Sequence, residues 1–381
     1  MRILIMVMPL LVIAGLTVNA GRQIFLWLKL IWEGVNPLAY GIIFGVLVLA
    51  TVAAFIASRV PDIGVPRIVF LIGHHALGVL VYLIMIVNIV SLLLLLGRLV
   101  HLIPSPMPGA VGLVSGTFSL LLIAGLTIYG AVHASNIQTS RYTVQIGQTQ
   151  TKADSLRIAL ISDIHLGYVI EEKHLAKVVE AVNAINPDVI CITGDIFDGD
   201  MTSLSNPEKL QALFREMDAT YGVYACLGNH DAGASYEQML EFLSGADIQV
   251  LMDEAIVIDE RFILAGRRDS RPIGGQGDAR EALKGLPETK ELPVIVMDHQ
   301  PENISEYGSE ADLILSGHTH QGQMFPLNLI TNAISDVNYG YYRASDGSPQ
   351  IIVTSGAGTW GPPERVATDS EVADITVVFP Q

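Results

Sequence analysis

The chain has 381 residues, half of them hydrophobic and only 16% charged, which is enough for an apolar region plus a globular domain. Residues 1–134 hold six basic and two acidic residues of the chain's 22 and 38, so residues 135–381 hold 16 and 36, a formal charge of −20. That acidity argues against nucleic acid as a partner. The two cysteines, Cys191 and Cys226, sit inside apolar runs and read as buried thiols, not a disulfide framework.

Residues 1–134 read as a transmembrane region of about four helices, over Ile3–Val18, Leu38–Ala57, Val69–Leu96 and Ala110–Ala134. The last three lack any Asp, Glu, Lys or Arg, and prolines fall in the connections between them. The first is expected to be an uncleaved helix, although Arg2 with Val18-Asn19-Ala20 also fits a signal peptide. With four crossings, Arg2, Arg59, Arg67, Arg141, Lys152 and Arg157 share one side and Arg22, Lys29 and Arg98 the other. This bias puts the domain that follows in the cytoplasm of a bacterial inner or plasma membrane protein. His74, His75 and Asn88 fall in the third helix, where headgroup-level placement or interhelical packing is expected.

The polar stretch 135–154 reads as a linker into a domain over 155–381. Strand-like runs at Leu156–Ser162, Asp188–Thr193 and Gly222–Leu227 alternate with helical patterns at Glu171–Asn186, Pro207–Ala219 and Tyr236–Leu243. Short strands follow at Ala255–Asp259, Phe262–Ala265, Pro293–Met297, Asp312–Ser316, Gln350–Thr354 and Ala373–Phe379. This alternation predicts an α/β fold with a mainly parallel sheet and a second sheet packed on it.

Five of the strands end in polar residues of one kind. The ends read Asp163-Ile164-His165, Gly194-Asp195-Ile196-Phe197-Asp198, Gly228-Asn229-His230-Asp231, Asp298-His299 and Gly317-His318-Thr319-His320. In an open α/β sheet ligands collect beyond the carboxyl ends of strands, so these five loops are expected to converge. Carboxylate, amide and imidazole donors together suit Mn²⁺, Zn²⁺ or iron. Their number suits two divalent ions sharing a carboxylate, with Mn favoured.

These blocks resemble the calcineurin-like metallophosphoesterase superfamily, whose motif order is D-x-H, G-D-x-x-D, G-N-H-D, a lone His and G-H-x-H. The stretches Gly317–Pro326 and Ser355–Arg365 further resemble its membrane-associated bacterial branch. The resemblance implies an αββα two-sheet sandwich with a dinuclear centre at the strand ends. It implies that Asp163, His165 and His320 bind one metal, that Asn229, His299 and His318 bind the other, and that Asp195 bridges them. His230 would protonate the leaving oxygen or stabilise the phosphoryl transition state as a charge, Asp231 would orient His230, and Asp198 would support its loop. Gly358 and Arg365 are substrate-binding candidates for a phosphate, with a rigid turn and a structural ion pair as the competing reading. Trp360 fits either the lining of an entrance or packing.

The function these features point to is hydrolysis of a phosphodiester or pyrophosphate by metal-activated water. The substrate expected is a phosphoester near membrane lipid, lipid-linked or from the cell envelope, with UDP-diacylglucosamine as one candidate. The alternative is a membrane sensor or transporter whose metal domain binds a phosphorylated ligand without turnover. Oligomeric state is not legible in the sequence.

Overall fold

The computed structural model describes residues 2–60, 64–147, 151, 154–274, 280–286, 291–308, 310–343 and 349–379. It divides into two compact units. One runs to Ser58 and resumes over Gly64–Gly130; the other holds Ala131 onward together with Arg59 and Val60.

The first unit is four helices: α1 (Arg2–Ile31), α2 (Pro37–Ala57), α3 (Arg67–Leu99) and α4 (Gly109–Ala134). All four are long and apolar enough to cross a membrane. The first outruns its expected end because nothing between Asn19 and Lys29 breaks a helix. Asn36 caps α2, accepting from the amides of Leu38 and Ala39, with Pro37 at the first turn where its missing N–H costs nothing. The polar residues inside the bundle find partners. Asn19 Nδ2 donates to Asn88 Oδ1 at 2.8 Å, and Asn88 Nδ2 donates to the Ile84 and Leu16 carbonyls, tying α1 to α3. His74 is buried, with Nδ1 2.8 Å from the Phe70 carbonyl oxygen.

In the second unit, part of the stretch expected to be a linker is a strand. Of the stretch 135–154, residues 137–145 form a strand, β1 (Ile137–Gln145), two residues after α4. It is followed by β2 (Ser155–Ile161), α5 (Glu172–Ile185), β3 (Val189–Thr193), α6 (Pro207–Phe214), β4 (Val223–Cys226), α7 (Tyr236–Gly245) and β5 (Ile248–Val250). Then come β6 (Glu254–Ile258), β7 (Phe262–Gly266), β8 (Val294–Met297), β9 (Leu313–Ser316), α8 (Leu327–Ile334), β10 (Gly340–Arg343), β11 (Gln350–Val353) and β12 (Ser370–Val378).

These strands form two mixed six-stranded sheets, ordered β1-β12-β2-β3-β4-β5 and β10-β11-β9-β8-β7-β6. Strands β2 through β5 run parallel, as do β7, β8, β9 and β11. Strand side chains alternate between faces, and β2 shows what that does. Ile158 and Leu160 enter the core between the sheets with Cys191, Cys226, Leu264, Ile295, Leu315 and Ile375. Ala159 and Ile161 face the other way, onto Leu175, Val178 and Val182 of α5 and Phe242 of α7. The outer face of the second sheet carries Ile263, Val296, Ile314 and Ile351 under Tyr307 and Ile304. The result is the two-sheet layered architecture expected, with both cysteines buried as free thiols.

Strand β1 is an edge strand with one face exposed, which is why its Thr, Gln, Ser and Arg residues look like a linker. Its nine residues pair in parallel with β12, and Val144 reaches the inter-sheet core. Val144→Asp is therefore expected to destabilise the second unit by ~3 kcal/mol or more, because it buries an unpaired carboxylate. Thermal unfolding of the detergent-solubilised chain measures this, and an unchanged midpoint would remove β1 from the core.

Candidate metal centre

All five polar blocks leave the carboxyl ends of strands, β2, β3 and β4 in one sheet and β8 and β9 in the other. Asp163, His165, Asp195, His318 and His320 each adopt a positive φ, between 48° and 71°. Non-glycine residues rarely do so, and such strain clusters where side chains must be aimed. The backbone stitches the blocks together. Asp163 and His165 donate their amides to the Gly194 and Asp195 carbonyls, and the His318 amide donates to the Asp163 carboxylate. Gly228 and Gly317 permit this closeness: a Cβ at Gly228 would strike Asp195, and one at Gly317 would strike Ser162 and Asp163.

Two clusters of donor atoms result. In one, His320 Nε2 lies 3.0 Å from His165 Nε2 and 3.3 Å from Asp163 Oδ1. In the other, His299 Nε2 lies 3.2 Å from each of Asn229 Oδ1, His318 Nδ1 and Asp195 Oδ2. The same Asp195 oxygen is 3.6 Å from His165 Nε2. Ligand atoms about 2.0–2.2 Å from a shared ion sit at about this mutual spacing. The donor set therefore fits two ions, with Asp195 between them. These clusters gather residues that the resemblance named, with His318 and His320 in separate groups, and a third group of His165, Asp198 and His230 also lies within ligand spacing.

Second contacts fix the imidazoles. His299 Nδ1 donates to the Thr193 carbonyl at 2.8 Å, which turns Nε2 toward the cluster. His165 Nδ1 faces Asp198 Oδ1 at 3.6 Å. Asp298, beside His299, is held by Arg280, Tyr307 and Asn303.

The electrostatics suit cation binding. Burial alone would raise the Asp163 and Asp195 carboxyls, but the surrounding histidines outweigh it, and both stay below the usual carboxylate range. Burial lowers His318 and pushes His320 down to about 3, so both rings offer lone pairs at neutral pH. His165 and His299 differ: burial opposes their protons, but Asp198 with Asp195 around His165, and Asp195 beside His299, win and raise both.

His230 stands beside the first cluster, its ring centroid 5.1 Å from that of His165. Burial lowers its pKa to about 4. The orienting role expected of Asp231 is corrected here. Its carboxylate accepts from the amides of Ile196, Phe197 and Gly228 and so ties two loops together, and burial lifts its pKa to about 7. Asp198 is the carboxylate near the ring, with Oδ1 4.0 Å from His230 Nδ1.

The two substrate-binding candidates are also redirected. Arg365 is fully buried and donates to the carbonyls of Ser355, Gly356, Gly358 and His320. The Gly358 amide donates to the Asp163 carbonyl at 2.9 Å. These groups brace the loops of Asp163 and His320, and neither presents a free donor to a phosphate. Another arginine was missed. Arg59 Nη1 lies 2.6 Å from Asp198 Oδ1, and its guanidinium lies 5.5 Å from the centre of the Trp360 ring. In the sequence it stood out only as a loop charge.

The calcineurin-like phosphoesterase family model matches residues 156–322. A transmembrane protein with metallophosphoesterase domain from Danio rerio is 30% identical over 333 residues, covering 82% of this chain and 74% of that one. An uncharacterized metallophosphoesterase of Aquifex aeolicus is 32% identical over 257 residues, covering 66% of this chain and 96% of its own. UDP-2,3-diacylglucosamine pyrophosphatase LpxG of Chlamydia trachomatis is 24% identical over 312 residues, covering 66% and 93%.

The contact at Gly317 gives a sharp test of the geometry. Gly317→Ala is expected to push the turn bearing His318 and His320 off Asp163 and to weaken Mn²⁺ binding at least about 10-fold. Calorimetric titration measures this, and wild-type affinity in that variant would contradict the close approach.

Proposed function

The chain belongs to the calcineurin-like metallophosphoesterases and is a metal-dependent phosphoric ester hydrolase, and we propose that it cleaves a phosphodiester or pyrophosphate bond in a lipid-linked substrate at a membrane. The observation that carries the chemistry is the single Asp195 oxygen shared by the two clusters, 3.6 Å from His165 Nε2 and 3.2 Å from His299 Nε2. Bound there, a pair of divalent ions supplies the charge that makes water nucleophilic at neutral pH and offsets the charge of the phosphoryl oxygens.

The protein's own residues do the rest. Asp163, His165 and His320 would hold one ion and Asn229, His299 and His318 the other, with Asp195 available to both. Water adds to phosphorus as the bond to the leaving oxygen breaks. His230 stands at the edge of the centre and supplies a proton or hydrogen bond to that oxygen. A neutral imidazole keeps one N–H for this purpose, which fits a ring whose burial disfavours the cation. Mixed nitrogen and oxygen donors favour Mn²⁺, with Fe or Zn as the other candidates.

Two observations support the substrate class. Four helices of membrane-spanning length make this an integral membrane protein in our reading, with the catalytic unit on the cytoplasmic face of a bacterial inner or plasma membrane. The Chlamydia trachomatis relative is named for a pyrophosphate-linked lipid precursor. The full-length chain in detergent with Mn²⁺ is expected to hydrolyse bis-p-nitrophenyl phosphate and to lose at least about 100-fold in Asp195→Ala. It is also expected to release UMP from UDP-2,3-diacylglucosamine faster than from the deacylated analogue. Undiminished Asp195→Ala activity would sink the two-metal reading, and indifference to acylation would sink the lipid-linked one.

A further inference from the structure

Arg59 lies in the connection between α2 and α3, yet it groups with the catalytic unit and not with the helices on either side. Its guanidinium is paired to Asp198 at 2.6 Å and packs against the Trp360 ring, and Trp360 in turn lies 5.9 Å from the His230 ring. Arg59, Trp360 and His230 thus form one continuous wall, ending at the residue that serves the leaving oxygen. The side chains of Arg59 and Asp198 are 25% and 16% exposed, and Trp360 is 42% exposed, so the wall is open to solvent. Residues 135–381 carry a formal charge of −20, which opposes the approach of an anion. Arg365, the cation the sequence offered for that anion, is spent on backbone carbonyls.

We propose that Arg59 is a substrate-binding residue that recognises a second phosphate on the leaving-group side, so that the site selects pyrophosphate-linked substrates over simple phosphodiesters. The proposal rests on the hydrolase reading above. A guanidinium is planar, keeps its charge and can grip a phosphate with two N–H groups, and stacking on an aromatic ring holds it in place. In the free site Asp198 occupies one arm of that fork. A phosphate arriving beside His230 competes for it. A simple diester ends its anionic part at the metal centre and has nothing for Arg59 to bind. A further consequence concerns the helices. The connection between two of them delivers a side chain to the catalytic unit, so residues 131–381 alone lack part of the site.

The test uses the full-length Mn²⁺-loaded chain in detergent, with UDP-2,3-diacylglucosamine and bis-p-nitrophenyl phosphate as the two substrates. Arg59→Ala is expected to lower kcat/KM on the pyrophosphate about 10–100-fold, mostly through KM, and to change the diester less than about threefold. Arg59→Lys is expected to restore part of the loss. Metal content, two ions per chain, is expected to stay at the wild-type value in both variants. Equal loss on both substrates with reduced metal content would mean that Arg59 only holds Asp198 in place, and would overturn the proposal. So would unchanged kinetics on the pyrophosphate. A wild-type chain inactive on both substrates would overturn the hydrolase reading, and the Arg59 assignment with it.

Discussion

One carboxylate oxygen organises the centre. Asp195 Oδ2 lies within 3.6 Å of His165 Nε2 and 3.2 Å of His299 Nε2, and it joins two clusters that each draw on both sheets. Burying that charge is costly, and the structure offsets the cost locally. Asp195 Oδ1 accepts the His230 amide, and the imidazoles around Oδ2 keep the carboxylate ionised. Much of the surrounding architecture follows. The Asp195 loop must turn at positive φ, Gly228 must lack a Cβ to pass it, and Asp231 must tie the two loops together through their amides.

The blocks that carry the candidate ligands stood out because each combines two signals that seldom coincide by chance. An apolar strand run stops, and a ligand-type residue follows at once, five times over. That ordering places the blocks at strand ends, and strand ends of parallel sheets share a side. The two-sheet layering was legible for a similar reason, since runs such as Leu156–Ser162 are buried on both faces and carry no polar alternation.

What escaped the sequence has physical reasons too. Strand β1 is polar because one face meets solvent, so its pairing with β12 leaves little trace in composition. Arg365 in a Gly- and Pro-rich loop resembles a phosphate cradle, but the loop turns its carbonyls, not its amides, toward the guanidinium. Asp231 adjoins His230 in sequence, yet its carboxylate is taken up by amides, and Asp198 reaches the ring from the preceding loop. Arg59 is separated by 139 positions from Asp198, and no local pattern announces such a pair.

The most direct test of the shared carboxylate is anomalous diffraction from crystals of the Mn²⁺-loaded chain. Two manganese peaks about 3.5–4 Å apart are expected, one touching Asp163, His165 and His320, the other touching Asn229, His299 and His318, with Asp195 between them. A single peak, or His318 and His320 on the same ion, would contradict the account.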